Sequence, residues 1–524
     1  MYRKYGPIFV ERLQGRRSVV HIVKGTDVRK VHQEEGKAPF RLGAMPLKHY
    51  RRSRPEYYAD VGILNLQGKE WLRVRSSTQP HTLKARTAGS YLPAMHRISD
   101  QALTLIDNVM DETGCVRDCF SIFRRWTLES IASIAADVEL CCLKHPLDPT
   151  CDGASILDDI KKAFTCLQKL GYRFPYFHYL LTPTWRSFEK TMDDFTERTY
   201  RHIEAAARRI DDEKLGSHPT ILRSLLLEKK LTFGEIFTFT SDLILAGVDT
   251  TAFAATCLLF QLARNQEAQK KVRQEFQATV QEKSGFVVPE QLDNMPFLKA
   301  CLKESLRLNP PSPGIYRLLD HDVVMSGYVV PAGVPIFIDY YVAGRVTENF
   351  DNPELFLPER WLKMQRSDLH SDRYASLPFS FGPRMCPGRT IAELQLCLLV
   401  SKILLKYKVH CEKEDIGFHR RNGHPDERHN VSMEMYRKYG PIFVERLQGR
   451  YSLVHIVKGT DIRILHQEEG KEPFRLGATP LKHYRSSRPL YYANVGLLNL
   501  QVTLGRNLDA ASLEHIRPLM YQFE

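Results

Sequence analysis

PFSFGPRMCPGR, residues 378–389, sets one cysteine, Cys386, in a loop bracketed by Pro383 and Pro387 and directly ahead of an apolar run. Gly382 and Gly388 allow close backbone approach, and Ile391 to Leu405 reads as a buried helix. Cys386 is therefore expected at a helix N-terminus. There the unpaired N–H groups and the positive end of the helix dipole lower a thiol's pKa, and Arg384 adds a nearby positive charge. Such a setting suits a metal-bound thiolate. The competing reading is a buried free cysteine, the usual fate of a lone thiol that packs as a small hydrophobe.

Working outward, the chain has 524 residues, 43% hydrophobic and 26% charged, which fits a globular protein with a large core. Length alone admits two to four average domains or one large enzyme fold. The 11 cysteines show no C-x-x-C pair and no regular spacing, so neither a disulfide framework nor a zinc site is expected. Net charge is +13, in short groups such as Arg51-Arg52 and Arg124-Arg125, without a nucleic-acid motif. These groups read as a solvated basic surface, or as a docking face for an acidic protein or an anionic membrane. No run of 18 apolar residues predicts a membrane-spanning helix, and YRKYGPIF after Met1 has neither a signal-peptide stretch nor a presequence.

Residues 435–501 repeat residues 1–67 with 11 substitutions and no gaps, among them Val28 against Ile462 and Ile63 against Leu497. Solenoid units recur at least three times, and this one occurs twice, far apart. The second copy diverges after Gln501, where the first continues Gly68-Lys69-Glu70-Trp71. A head-to-tail joining of two paralogous genes, or of their gene models, is the reading adopted.

Three further groupings carry chemistry. Thr232 to about Asn265 predicts a long apolar helix interrupted at Asp249-Thr250-Thr251, and a carboxylate buried there costs several kcal/mol unless it is hydrogen-bonded. In FLKACLKESLRLNPPSP, Glu304 and Arg307 stand three apart on one helical face, ending before Pro310-Pro311. Trp71 and Arg75, four apart, share the side of another helix.

Phe379, Gly382, Arg384, Cys386 and Gly388 match F-x-x-G-x-R-x-C-x-G, and the chain resembles the cytochrome P-450 monooxygenases over about residues 1–410. The resemblance implies a mainly α fold with a smaller β-rich part (α+β), with haem b between the long central helix and the cysteine-loop helix. Cys386 would be the axial thiolate, which favours O–O cleavage. AGVDTT, Ala246 to Thr251, would be the oxygen-activation motif, with Gly247 close to haem, Thr250 hydrogen-bonding dioxygen and Asp249 relaying protons. Trp71, Arg75, Arg317 and Arg384 would grip the propionates, Glu304, Arg307 and Arg360 would form a buried structural lock, and Pro311 to Ile315 would line the substrate side.

Within that family, KYGPIFVERLQG and EEGKAPFR resemble the mitochondrial, ferredoxin-driven branch. Lys299 and Lys303 match the pair by which that branch docks an acidic iron–sulfur ferredoxin, although Arg389 is followed by Thr390 where a second arginine is usual. The implied reaction inserts one atom of O2 into an apolar substrate, with steroids or other lipids as the class. The implied location is mitochondrial and inner-membrane-associated, with peripheral membrane contact and no nucleic-acid partner. The expected layout is a catalytic unit over 1–411, a junction over 412–434 in place of the closing substrate-side hairpin, the duplicate over 435–501 and an unassigned tail over 502–524. A non-catalytic haem-binding or misassembled fusion product is the rival reading. A haem-thiolate isomerase or dehydratase is another, and it is opposed by the intact Asp249-Thr250 pair.

Overall fold

The computed structural model describes residues 2–11, 18–112, 114–116, 118–171, 176–212, 219–279, 291, 294–362 and 371–412, with strand backbones 415–420, 442–445 and 453–456. The unassigned tail over 502–524 lies outside the described residues. The chain forms two compact units, Met1–Asn422 and Gly423–Glu524.

The first unit is built around one helix, Phe233–Arg264, and its start follows from local chemistry. Thr232 Oγ1 accepts from the Glu235 N–H at 3.3 Å while Glu235 Oε2 accepts from the Thr232 N–H at 2.9 Å, a reciprocal cap that satisfies two end donors. By length and composition this helix could cross a membrane, although polar residues interrupt its apolar run. It is instead a core helix: Leu258, Leu259 and Leu262 have no exposed surface. Helix Cys119–Ala136 packs along it, capped by Asp118, whose side chain accepts from the Ser121 N–H. The cysteine helix, Arg389–Lys406, packs against Phe233–Arg264, Leu92–Val109 and Pro296–Leu308.

The smaller β part is a sheet in the order β1-β2-β7-β4, with strands β1 Ile8–Glu11, β2 Val19–Ile22, β4 Ile315–Leu318 and β7 Pro335–Ile338. β2 runs parallel to β7, and β4 is antiparallel to it with Arg317 opposite Ile336. Its core is a separate cluster that includes Val20, Ile22, Val28, Ile336 and Ile338, with Met325 and Tyr340. Two small sheets complete the fold. One pairs β5 Val323–Met325 with β6 Tyr328–Val330, and the other joins β3 Cys115–Val116, β9 Asp415–Arg420 and β8 Tyr407–Glu412 in that order.

That last sheet corrects the layout expected from sequence. β8 Tyr407–Glu412 pairs antiparallel with β9 Asp415–Arg420, which also pairs with β3 Cys115–Val116. A hairpin therefore follows the cysteine helix, and a boundary at 411 falls inside it. In the second unit, β10 Ile442–Glu445 pairs with β11 Leu453–Ile456 in the register of the first copy: Ile442 opposes Ile456 as Ile8 opposes Ile22.

The paired arginines expected on a solvated surface are largely interior. Arg51 is fully buried and donates to Asp242 at 2.5 Å, while Arg125 donates from Nε to the Cys142 carbonyl at 2.6 Å. Arg52 alone of the four is exposed. Sequence reading treats each guanidinium as hydrated. Burial with a carboxylate or backbone carbonyls is the other stable arrangement, and it depends on residues distant in the chain.

Candidate active site

The Cys386 loop is fixed by its own backbone. The Cys386 N–H donates to the Phe379 carbonyl at 2.8 Å, and the Met385 N–H donates to the Gly382 carbonyl at 3.1 Å. Gly382 sits at φ +72°, where a side chain would be strained, and an added Cβ would lie 2.8 Å from Glu35 Oε1. Gly388 is the residue ahead of helix Arg389–Lys406, and its N–H donates to the Cys386 thiol. One electrostatic expectation is corrected. Burial pushes the Cys386 thiol up, outweighing the Gly388 N–H and the charges of Arg75 and Arg41. A bound cation would act against that shift by stabilising the thiolate.

Four guanidiniums gather beside this loop. Arg75 and Trp71, from helix Gly68–Thr82, are both buried. Arg75 Nη2 donates to the Met385 carbonyl at 2.9 Å, while its buried Nε finds no partner among the described residues. Arg384 stacks over the Trp71 ring at 3.9 Å and donates to the Pro39, Ile63 and Leu66 carbonyls and to Gln67 Oε1. Arg317 Nη2 donates to Ser380 Oγ at 3.0 Å, and Arg317 Nε pairs with Glu35 Oε2. Arg41, which the sequence reading did not single out, completes the set. Burial, then repulsion from Arg317, holds its guanidinium down to about 10. Burial, then Arg41, Arg317 and Arg75, holds Arg384 at about 9. Such a concentration of positive charge beside a cysteine loop suits a group bearing carboxylates.

On the central helix, Ala246 and Thr250 are exposed and Gly247 is half-buried, while Leu245, Val248, Asp249 and Thr251 are buried, so this one turn of an otherwise interior stretch reaches open space. Thr250 Oγ1 donates to the Ala246 carbonyl at 2.8 Å. Asp249 points elsewhere. It is buried, and its Oδ1 accepts from Arg124 Nε at 2.5 Å. Arg124 Nη2 also donates to the Leu157 carbonyl at 2.7 Å, and Thr127 Oγ1 donates to the Val248 carbonyl at 3.1 Å. The buried carboxylate thus has a partner that sequence reading assigned to the surface.

Glu304, Arg307 and Arg360 meet in the interior with no exposed side-chain surface. Glu304 accepts from Arg307 at 2.7 and 2.9 Å, from Arg360 Nε at 3.0 Å, from Trp361 Nε1 at 2.8 Å and from the Leu357 N–H at 2.9 Å. Arg307 donates onward to the Gly344, Pro353 and Leu355 carbonyls. On the same helix, Pro296–Leu308, Lys303 is exposed and Lys299 half-buried. Although the residue as a whole is exposed, partial desolvation of its ammonium group lowers the Lys303 pKa, with Arg373, Arg389 and Lys299 adding to the effect against Glu393. Thr390, the departure from the branch pattern, donates to the Leu83 carbonyl at 3.0 Å. Among the described residues no cluster of three or more His, Cys, Asp or Glu side chains could hold a metal ion.

A family model described as Cytochrome P450 matches residues 1–422. The chain is 31% identical over 430 residues to probable cytochrome P450 301a1, mitochondrial, of Drosophila melanogaster, covering 80% of this chain and 77% of that protein. It is 30% identical to cytochrome P450 12b1, mitochondrial, of Drosophila acanthoptera, covering 77% and 78%. It is 31% identical to 1,25-dihydroxyvitamin D(3) 24-hydroxylase, mitochondrial, of Rattus norvegicus, covering 78% and 77%. The solved structure of retinoic acid bound cyanobacterial CYP120A1 superposes with a TM-score of 0.63 at 20% identity, over 80% of this chain and 93% of that one.

Proposed function

We propose that this chain, which belongs to the cytochrome P450 family, inserts one oxygen atom from O2 into an apolar substrate using electrons from an acidic iron–sulfur ferredoxin. Monooxygenase activity and a haem with axial cysteine thiolate follow from the family. Bound haem supplies the redox chemistry that activates O2. In our reading Cys386 is the ligand, and Phe379 and Gly388 shape its loop. The guanidiniums of Arg75, Arg317 and Arg384, with Trp71 beneath Arg384, hold the propionates. The observation that carries this assignment is the four-guanidinium cluster beside Cys386, with Arg75 Nε buried and without a partner among the described residues.

The protein's own residues then divide the work. Thr250 Oγ1, bonded to the Ala246 carbonyl at rest, holds a proton at the edge of the cleft. Asp249 is the next proton-bearing group, and Arg124 fixes where its carboxylate rests. Glu304, Arg307 and Arg360 keep the scaffold behind the cysteine loop. Lys299 and Lys303, with Arg373 and Arg389 close by, offer an acidic ferredoxin a positive surface, and the mitochondrial names of the relatives support that partner. The hydroxylase among the relatives supports a steroid-like or lipid substrate. Tyr179, Leu180 and Leu181, each more than 60% exposed, support peripheral contact with the inner mitochondrial membrane. We assign the catalytic unit to residues 1–422 and the duplicate over 435–501 to the joining of two paralogous genes.

The test is the ferrous–CO difference spectrum of the full chain beside Cys386→Ser. A red-shifted thiolate band present in the first and lost in the second is the expected result. A haem-free or unshifted wild-type protein would overturn the reading.

A further inference from the structure

The clamp around Arg317 has a buried acid that the proposed chemistry does not use. Glu35 closes helix Gly25–Glu34, and its side chain is 1% exposed. One carboxylate oxygen, Oε2, pairs with Arg317 Nε. The other, Oε1, lies 3.1 Å from His32 Nδ1 and packs where any side chain on Gly382 would collide with it. His32 is backed in turn by the Tyr340 hydroxyl, 3.3 Å from Nε2. A buried carboxylate restrained at both oxygens and packed against the cysteine loop has little freedom of its own, and it transfers that rigidity to Arg317.

We propose that Glu35 is a positioning residue for the cofactor. It holds Arg317 in the orientation that receives a propionate, keyed to the Cys386 loop through Gly382, and offsets part of the positive charge of Arg41, Arg75, Arg317 and Arg384. The inference rests on the haem reading given above. Its charge role has a definite sign: a buried negative charge beside the propionate end disfavours adding an electron to the iron. Glu35→Gln keeps the shape and removes that charge. Glu35→Asp keeps the charge and withdraws it from Arg317 by one methylene.

The experiment measures, on the haem-loaded full chain, the reduction potential and the rate of haem transfer to an apo-globin acceptor. The account expects Glu35→Gln to shift the potential to a more positive value and to release haem several-fold faster. It expects Glu35→Asp to release haem faster with a potential near that of the wild type. A role in folding alone would lower thermal stability in both variants without separating them by potential. Should Glu35→Gln fail to accumulate, Glu35→Asp carries the test through its release rate. An unmoved potential in Glu35→Gln, or an unchanged release rate in Glu35→Asp, overturns the inference while a wild-type thiolate spectrum leaves the haem reading standing. A wild type that binds no haem overturns both.

Discussion

Two buried charge networks lie in the same catalytic unit and differ in how completely they are satisfied. Around Glu304, one carboxylate receives two guanidiniums, an indole and a backbone N–H, and the remaining guanidinium donors reach backbone carbonyls. Around the cysteine loop, four guanidiniums repel one another, Arg317 alone pairs with Glu35, and Arg75 Nε has no partner among the described residues. A closed network of this kind holds a scaffold together. An open one, costly when left as it stands, marks a place built for something negatively charged to bind.

The sharpest way to break the comparison is to remove the centre of the closed network. Glu304→Gln should leave two buried guanidiniums without their counter-charge and cost about 3–5 kcal/mol, enough to deplete soluble folded protein, as read by thermal melting and yield. A variant that melts like the wild type would mean that the network is not what holds the helix in place. Next in size is the Arg124–Asp249 pair, which is closed but lies beside the cleft. A double-mutant cycle of Arg124→Gln and Asp249→Asn on thermal stability should return a coupling of about 0.5–3 kcal/mol, whereas strict additivity would show the contact to be energetically idle.

The open network should respond in the opposite sense. Arg75→Gln is expected to leave the melting of the haem-free protein almost unchanged. Haem release should quicken by about tenfold, which corresponds to about 1.4 kcal/mol for one charge-assisted hydrogen bond. Equal losses in both measurements would collapse the distinction. The smallest effect concerns Asp159, whose carboxyl burial raises from 3.8 to about 6 despite Arg198. Its folded form therefore binds more protons than its unfolded form between those values, so stability falls as pH rises through that window. Melting temperatures of Asp159→Asn against pH should lack this decline.

Local chemistry was legible in the sequence, and long-range pairing was not. The cysteine loop, the central helix with its polar interruption and the Glu304/Arg307 face all lie within a few turns of chain, where spacing alone defines geometry. Glu35 and Arg317 are 282 positions apart, and Arg124 and Asp249 are 125 apart, so neither pairing leaves a periodic trace. The one available hint for Glu35 was an acid at the end of an amphipathic helix ahead of Gly36, which has φ +67°. Arg51, Arg124 and Arg125 were misread for the same reason, since their partners come from elsewhere in the chain. The closing hairpin was missed because Asp415–Arg420 sits in a polar stretch whose turn signals outweighed its short strand pattern.

In our reading the guanidinium cluster receives the carboxylates of a haem ligated by Cys386. The decisive measurement titrates the full chain with haem and, separately, with haem whose two propionates are methyl esters, and reads affinity from the Soret band. The diester should bind much more weakly, with the loss largely abolished in Arg75→Gln combined with Arg317→Gln. Equal affinity for the two haems in the wild type would contradict it.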